Sequence, residues 1–297
     1  MKVRNGALSM MFFMPAALFM LVFLVLPILR LLRDSFFHID LMDPAAREFV
    51  GLANYIDSLS SKRFLASLWN TVIYIVTAVG IEFLIGLTLA LLLSNAFKGS
   101  QILRTILLTP LMLAPLVSGL IWKFMLNDQF GIINWTLYKI GIISDPHQIL
   151  WLSDSRFSLL STIIADIWLT TPFIMLVLLA GIQGISKSLY ESADIDGANK
   201  WHKFRYITIP CLIPVASVAL LIRIIDAART FDIVWVLTQG GPGFSSELLS
   251  TYMYKTLTRY GQVGHSSAMA VIFIIILLVL SSFFIAKIWS PRKKNAW

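Results

Sequence analysis

Six stretches of this chain are each long and apolar enough to cross a lipid bilayer: residues 10–32, 68–93, 102–126, 159–182, 209–236 and 268–288. A hydrocarbon core about 30 Å thick is crossed by about 20 apolar residues in an α-helix. Lipid offers no partner to backbone N–H and C=O groups, so a spanning segment must satisfy them itself. The pattern therefore predicts an all-α, polytopic membrane protein with six transmembrane helices in a single transmembrane domain over residues 1–297. Composition agrees. The chain is 58% hydrophobic and 13% charged, with a mean hydropathy of +0.80, whereas soluble domains carry about 25% charged residues.

Lys2 and Arg4 precede the first run, as in a signal peptide. That run exceeds a usual signal-peptide core, and no small-x-small cleavage pattern follows before Arg33, so it reads as a retained first helix. Orientation follows from basic residues in short loops. With the N-terminus inside, the inner segments hold 12 Lys and Arg in short stretches, and the outer segments hold 11 over a longer length. The cluster Arg292, Lys293 and Lys294 decides for both termini being cytoplasmic. The outer loops, 33–67, 127–158 and 237–267, are long and rich in turn-forming residues.

Several chemistries are excluded. Cys211 is the only cysteine, and His38, His147, His202 and His265 are far apart, so no metal site is expected. No G-x-x-x-x-G-K-[ST] loop occurs, so this chain holds no ATP by that device. The net charge of +8 is scattered over loops without a stripe, which argues against nucleic acid. No constellation has catalytic spacing.

One inner loop, 183–208, is long, amphipathic and basic. Ser188 and Glu191 have the S-x-x-E spacing of a capping box, which predicts a helix starting near Leu189. Ser192, Ala193, Gly197 and Ala198 are small, and Gly197 permits a turn into a second helix. Trp201, Phe204 and Ile207 recur every three residues and give that second helix an apolar face. Pro210 and Pro214 then open the fifth span. Read as residues alone, the loop is equally well an amphipathic helix on the headgroups, with Glu191 only a cap.

The segment from Glu191 through Ser192, Ala193, Asp194, Asp196, Gly197 and Ala198 to Pro210 closely resembles the E-A-A-x-x-x-G-x(9)-I-x-L-P signature of binding-protein-dependent ABC importer permeases. Ser192 and Ile209 are its two departures. The Asp196–Ala198 form is similar to the branch that imports carbohydrates and glycerol phosphate. Phe49-Val-Gly-Leu-Ala-Asn-Tyr55, Trp168-Leu-Thr-Thr-Pro172 and Leu237-Thr-Gln-Gly-Gly-Pro242 resemble further landmarks in the same order. The resemblance implies a type I ABC importer permease fold and no catalytic residue. It implies that the loop helix couples to a cytoplasmic ATPase subunit through Glu191–Ala198. The implied partners are a second, homologous permease subunit, two ATP-binding subunits that hold ATP and Mg, and a periplasmic solute-binding protein. The implied location is the bacterial inner membrane.

Ionisable residues within spans are candidates for function. Glu82 lies mid-way along span two with no partner evident. Asp166 lies in the first third of span four. Span five carries Arg223, Asp226, Arg229 and Asp232 at three-residue intervals, a spacing that also suits a self-neutralising stripe. At 1.5 Å per residue, Arg223 is roughly 21 Å and Asp232 roughly 35 Å beyond Ile209, which puts Arg229 and Asp232 at the outer interface. By resemblance, substrate contacts fall on Asp166, Leu169, Thr170, Phe173, Arg223 and Ala227, with Asp226 as the counter-charge of Arg223. An arginine there points to an acidic group on a saccharide solute, such as a uronate, phosphate or sulfonate. Importers of oligosaccharides, polyols or glycerol-phosphate-like solutes all fit the pattern. The competing class is a proton-coupled secondary carrier using Glu82, Asp166 and Asp226, which expects internal repeats and leaves residues 191–210 unexplained.

Overall fold

The computed structural model describes residues 5–43, 47–95 and 97–289. Lys2, Arg4, Arg292, Lys293 and Lys294, which weigh in the orientation argument, lie outside the described residues. In chain order the elements are α1 (Asn5–Met20), α2 (Leu26–Asp34), β1 (Phe37–His38), β2 (Glu48–Phe49), α3 (Ala53–Ser60), α4 (Lys62–Ser94), α5 (Ser100–Leu108) and α6 (Pro115–Met125). They continue with α7 (Ile132–Lys139), α8 (Ser158–Gln183), α9 (Lys187–Ile195), α10 (Lys200–Lys203), α11 (Ile209–Ala228), α12 (Asp232–Leu237), α13 (Leu249–Thr258) and α14 (Val263–Trp289). Among the described residues, five helical stretches are long and apolar enough to cross a membrane, and a sixth arises if one bent pair counts as a span.

That bent pair is where the apolar run 102–126 misleads. It reads as one span, yet α5 and its following turn meet α6 at 99°. Leu113 and Ala114 are extended, with ψ of 144° and 142°. Pro115 explains the break, since it lacks an N–H and disfavours helical backbone in the residue before it, Ala114. The fifth run also differs from an unbroken 209–236. Helical structure starts at Lys200, passes through a π turn at Phe204–Thr208 into α11, and breaks after Ala228 before α12. Pro214 consequently lies within α11 and not at its opening.

The chain divides into two compact units. In the first, residues 1–65 with 253–277, the apolar window of Phe12–Asp34 has no residue buried within the chain. β1 and β2 pair antiparallel, Phe37 opposite Phe49. Buried Asn54 donates to Ser35 O and Phe37 O, each at 2.9 Å, and so ties α3 to the segment after α2. The landmark at 49–55 thus has a structural purpose.

The second unit, residues 66–252 with 278–297, is organised around α8. Its apolar window is 56% buried, more than any other span. One cluster sets Ile174, Met175 and Leu178 of α8 against Ala90 of α4 and Leu212 and Ala216 of α11. Another sets Ala165 and Leu169 against Ile233 and Leu237 of α12. Helices approach closely where side chains are small. A β-carbon at Gly86 of α4 would sit 2.7 Å from Ile174 Cγ2 and 3.1 Å from the Met175 backbone nitrogen. Gly86→Val should therefore push α4 off α8 and destabilise the protein by about 1–3 kcal/mol. Thermal unfolding of the purified protein checks this, and an unchanged midpoint would show that the two helices do not pack this tightly.

Candidate functional site

A guanidinium held between carboxylates from three helices lies deep in the second unit. Arg223 of α11 is 2% exposed, Glu82 of α4 is fully buried, and Asp166 of α8 is 2% exposed. Arg223 Nε donates to Glu82 Oε2 at 2.7 Å and Nη2 to Glu82 Oε1 at 3.0 Å, a bidentate fork. Nη2 also donates to Asp166 Oδ2, and Nη1 reaches Asp226 Oδ2 at 3.2 Å. The Thr170 hydroxyl is within 2.8 Å of Glu82 Oε1 and 2.7 Å of the Asp166 carbonyl oxygen, and donates to one or the other. Tyr74 is buried beside them. Charges at this depth persist only when paired and hydrogen-bonded.

This arrangement revises two expectations. Glu82 has a partner after all, 141 residues away in sequence. Arg223 is directed first at α4 and α8, and its contact with Asp226 is only one branch of the cluster. The self-neutralising stripe along α11 is confined to Asp226, which also accepts from Arg229 Nη2 at 3.1 Å. Arg223 is engaged by protein carboxylates in this structure, so an acidic group on a solute would have to compete with Glu82, Asp166 and Asp226 for it.

Beside the cluster, on the half of the helices away from the 184–208 loop, lies a cavity of about 220 Å³ between α6, α8, α11 and α12. Asp166, Leu169, Thr170 and Asp226 line it, as does Phe231. Pro115, Arg229, Thr230, Asp232 and Ile233 complete the wall and were not among the expected contacts. Their signal was the polar Arg229-Thr-Phe-Asp232 segment inside an apolar run, which marks the break between α11 and α12. Arg223 and Ala227 sit behind the wall, and Phe173 packs on the apolar cluster around Ile174.

At the other end of α8 and α11 lies the loop. α9 starts at Lys187 with Ser186 as its N-cap, and no side chain caps it. Ser188 is therefore already helical and cannot form the capping box with Glu191. Ser186 and Ser188 share a hydrogen bond of 2.8 Å instead. The C-terminus of α9 is closed by a Schellman motif, with Ala198 N–H donating to Ala193 O at 2.8 Å and Gly197 N–H to Asp194 O at 3.1 Å. Gly197 has φ +74°, the left-handed conformation that this motif needs. Asn199 then caps α10 by accepting from the His202 N–H at 2.9 Å. Two contacts tie α9 to the following helix: Tyr190 Oη with Thr208 Oγ1 at 2.9 Å, and Lys203 with Asp194. Glu191 is exposed, and among the described residues it has no ion-pair partner. Ile195 is 87% and Trp201 65% exposed.

Residues 59–295 match the family described as binding-protein-dependent transport system inner membrane component. The chain belongs to that family. Similar proteins include the trehalose/maltose transport system permease protein MalF of Thermococcus litoralis, 37% identical over 94% of this chain and 92% of that protein. The sulfoquinovosyl glycerol transport system permease protein SmoG of Agrobacterium fabrum is 34% identical over 92% of this chain and 87% of that protein. The fold matches a bacterial ABC transporter involved in the import of the acidic polysaccharide alginate, with a TM-score of 0.84 and 23% identity, covering 98% of each chain. The chain is thus an inner membrane component of a binding-protein-dependent transport system, and a transport protein, not an enzyme.

Proposed function

We propose that the chain is the permease subunit of an ATP-driven importer of a saccharide or polyol, which a solute-binding protein delivers. The observation that carries this reading is mechanical. The exposed helix α9 is closed by the Schellman turn and fastened to α10 and the start of α11, and α11 runs on without a gap to Arg223 and the cavity. A force applied at Glu191–Ala198 is thereby delivered to the helix that forms the cavity wall, in the manner of rigid-body switching.

In this reading a cytoplasmic ATPase subunit receives α9, with Glu191 offering a carboxylate to a basic group and Ser192, Ala193 and Ala198 permitting close approach. Asp194 and Asp196 frame the turn, Asp194 through Lys203. ATP and Mg belong to the two ATPase subunits, and a second permease subunit completes the pathway. Both termini face the cytoplasm. Asp166, Leu169, Thr170 and Asp226 form this chain's part of the solute path, supported from behind by Arg223 and Ala227, while Phe173 belongs to the apolar cluster around Ile174. The names of the trehalose/maltose and sulfoquinovosyl glycerol permeases support a saccharide class.

The test is uptake into vesicles that carry the assembled transporter, with trehalose and maltose as first probes. Uptake should require both ATP on the ATPase side and the binding protein on the other. Uptake driven by a proton gradient without either would favour the secondary carrier.

A further inference from the structure

We propose that the cavity wall is a charge filter that admits uncharged, hydroxyl-rich solutes and turns away acidic ones, with Asp226 and Asp232 setting its sign. The proposal rests on the importer reading and concerns the same cavity. Four carboxylates, Glu82, Asp166, Asp226 and Asp232, stand in or directly behind the wall. Two guanidiniums, Arg223 and Arg229, oppose them, so the formal sum is negative. Low-dielectric walls strengthen such a field.

Hydrogen-bonding capacity points the same way. The buried guanidinium behind the wall is largely engaged. Arg223 gives Nε and Nη2 to Glu82 and Asp166 and Nη1 to Asp226. Arg229, its side chain 69% exposed, is held beside a carboxylate by giving Nη2 to Asp226, and Thr230 donates to the Asp226 carbonyl oxygen at 3.3 Å. Acceptors remain available: the Asp226 side chain is 47% exposed, and Asp232 is exposed with no ion-pair partner among the described residues. A wall rich in acceptors suits a solute that donates, as sugar hydroxyls do, and a carboxylate, phosphate or sulfonate reaching Arg229 would have to approach the Asp226 carboxylate beside it. Phe231, stacked on Trp235 with centroids 5.4 Å apart, adds an apolar ring face for sugar C–H groups.

The field can be measured without knowing the solute. In the reconstituted transporter with Cys211 replaced by serine, a cysteine is placed at Thr230 or, separately, at Phe231. Its rates are compared for a cationic and an anionic methanethiosulfonate of similar size, each relative to a free thiol in solution. The cationic reagent should be favoured by about tenfold beyond the free-thiol ratio. Asp226→Asn and Asp232→Asn should each reduce that preference. A ratio equal to or below that of the free thiol, or one that neither substitution changes, would overturn the filter. Cysteines that react with neither reagent would overturn it as well, because the cavity would then be closed to solute. Failure of ATP-dependent uptake, by contrast, would count against the importer reading and leave the measured field as it stands.

Discussion

Arg223→Met should destabilise the protein by about 3–5 kcal/mol, the cost of removing one partner from a buried ion pair. The substitution leaves Glu82 fully buried and Asp166 nearly so, facing each other without a counter-charge, and it unlinks α4, α8 and α11 at one point. Arg223→Lys should be intermediate, because one ammonium cannot reproduce the bidentate fork to Glu82. Adding Glu82→Gln and Asp166→Asn to Arg223→Met should recover most of the loss, since the carboxylates then no longer need compensation. Thermal unfolding of the purified transporter in detergent reads all three. An Arg223→Met protein as stable as the parent would mean that the cluster does not hold the helices together.

That cluster shows where sequence reasoning stops. Hydropathy identified Glu82, Asp166 and Arg223 as charges inside apolar runs, but the faces they share depend on helix rotation and packing, which periodicity does not encode in a span that is apolar all round. Sequence therefore shows no partner for Glu82, and it does not show that Glu82 and Asp166 take most of the Arg223 donors. Apolarity also conceals the right-angled break at Leu113 and Ala114, although Pro115 is its visible cause. The loop was more legible, because its turn depends on local residues. Gly197 was read as the pivot and adopts φ +74°. The capping box was misassigned because S-x-x-E spacing occurs at Ser188 and Glu191 while the helix already begins at Lys187.

The second large effect is expected in that loop. Proline at Gly197 cannot adopt a positive φ and has no N–H to donate to Asp194 O. Gly197→Pro should therefore open the Schellman turn and separate α9 from α10, so that a docked α9 no longer moves α11. Glu191→Ala is the gentler companion. Glu191 is exposed and has no ion-pair partner among the described residues, so its loss should leave stability unchanged and remove only the proposed contact to the ATPase.

The measurement that bears most directly on coupling is ATP hydrolysis by the reconstituted transporter, with and without solute-loaded binding protein. The parent protein should show stimulation. Gly197→Pro should abolish it, and Glu191→Ala should reduce it several-fold while thermal stability is retained. Full stimulation in both variants, at normal assembly, would contradict the account and return the loop to an amphipathic helix resting on the lipid headgroups.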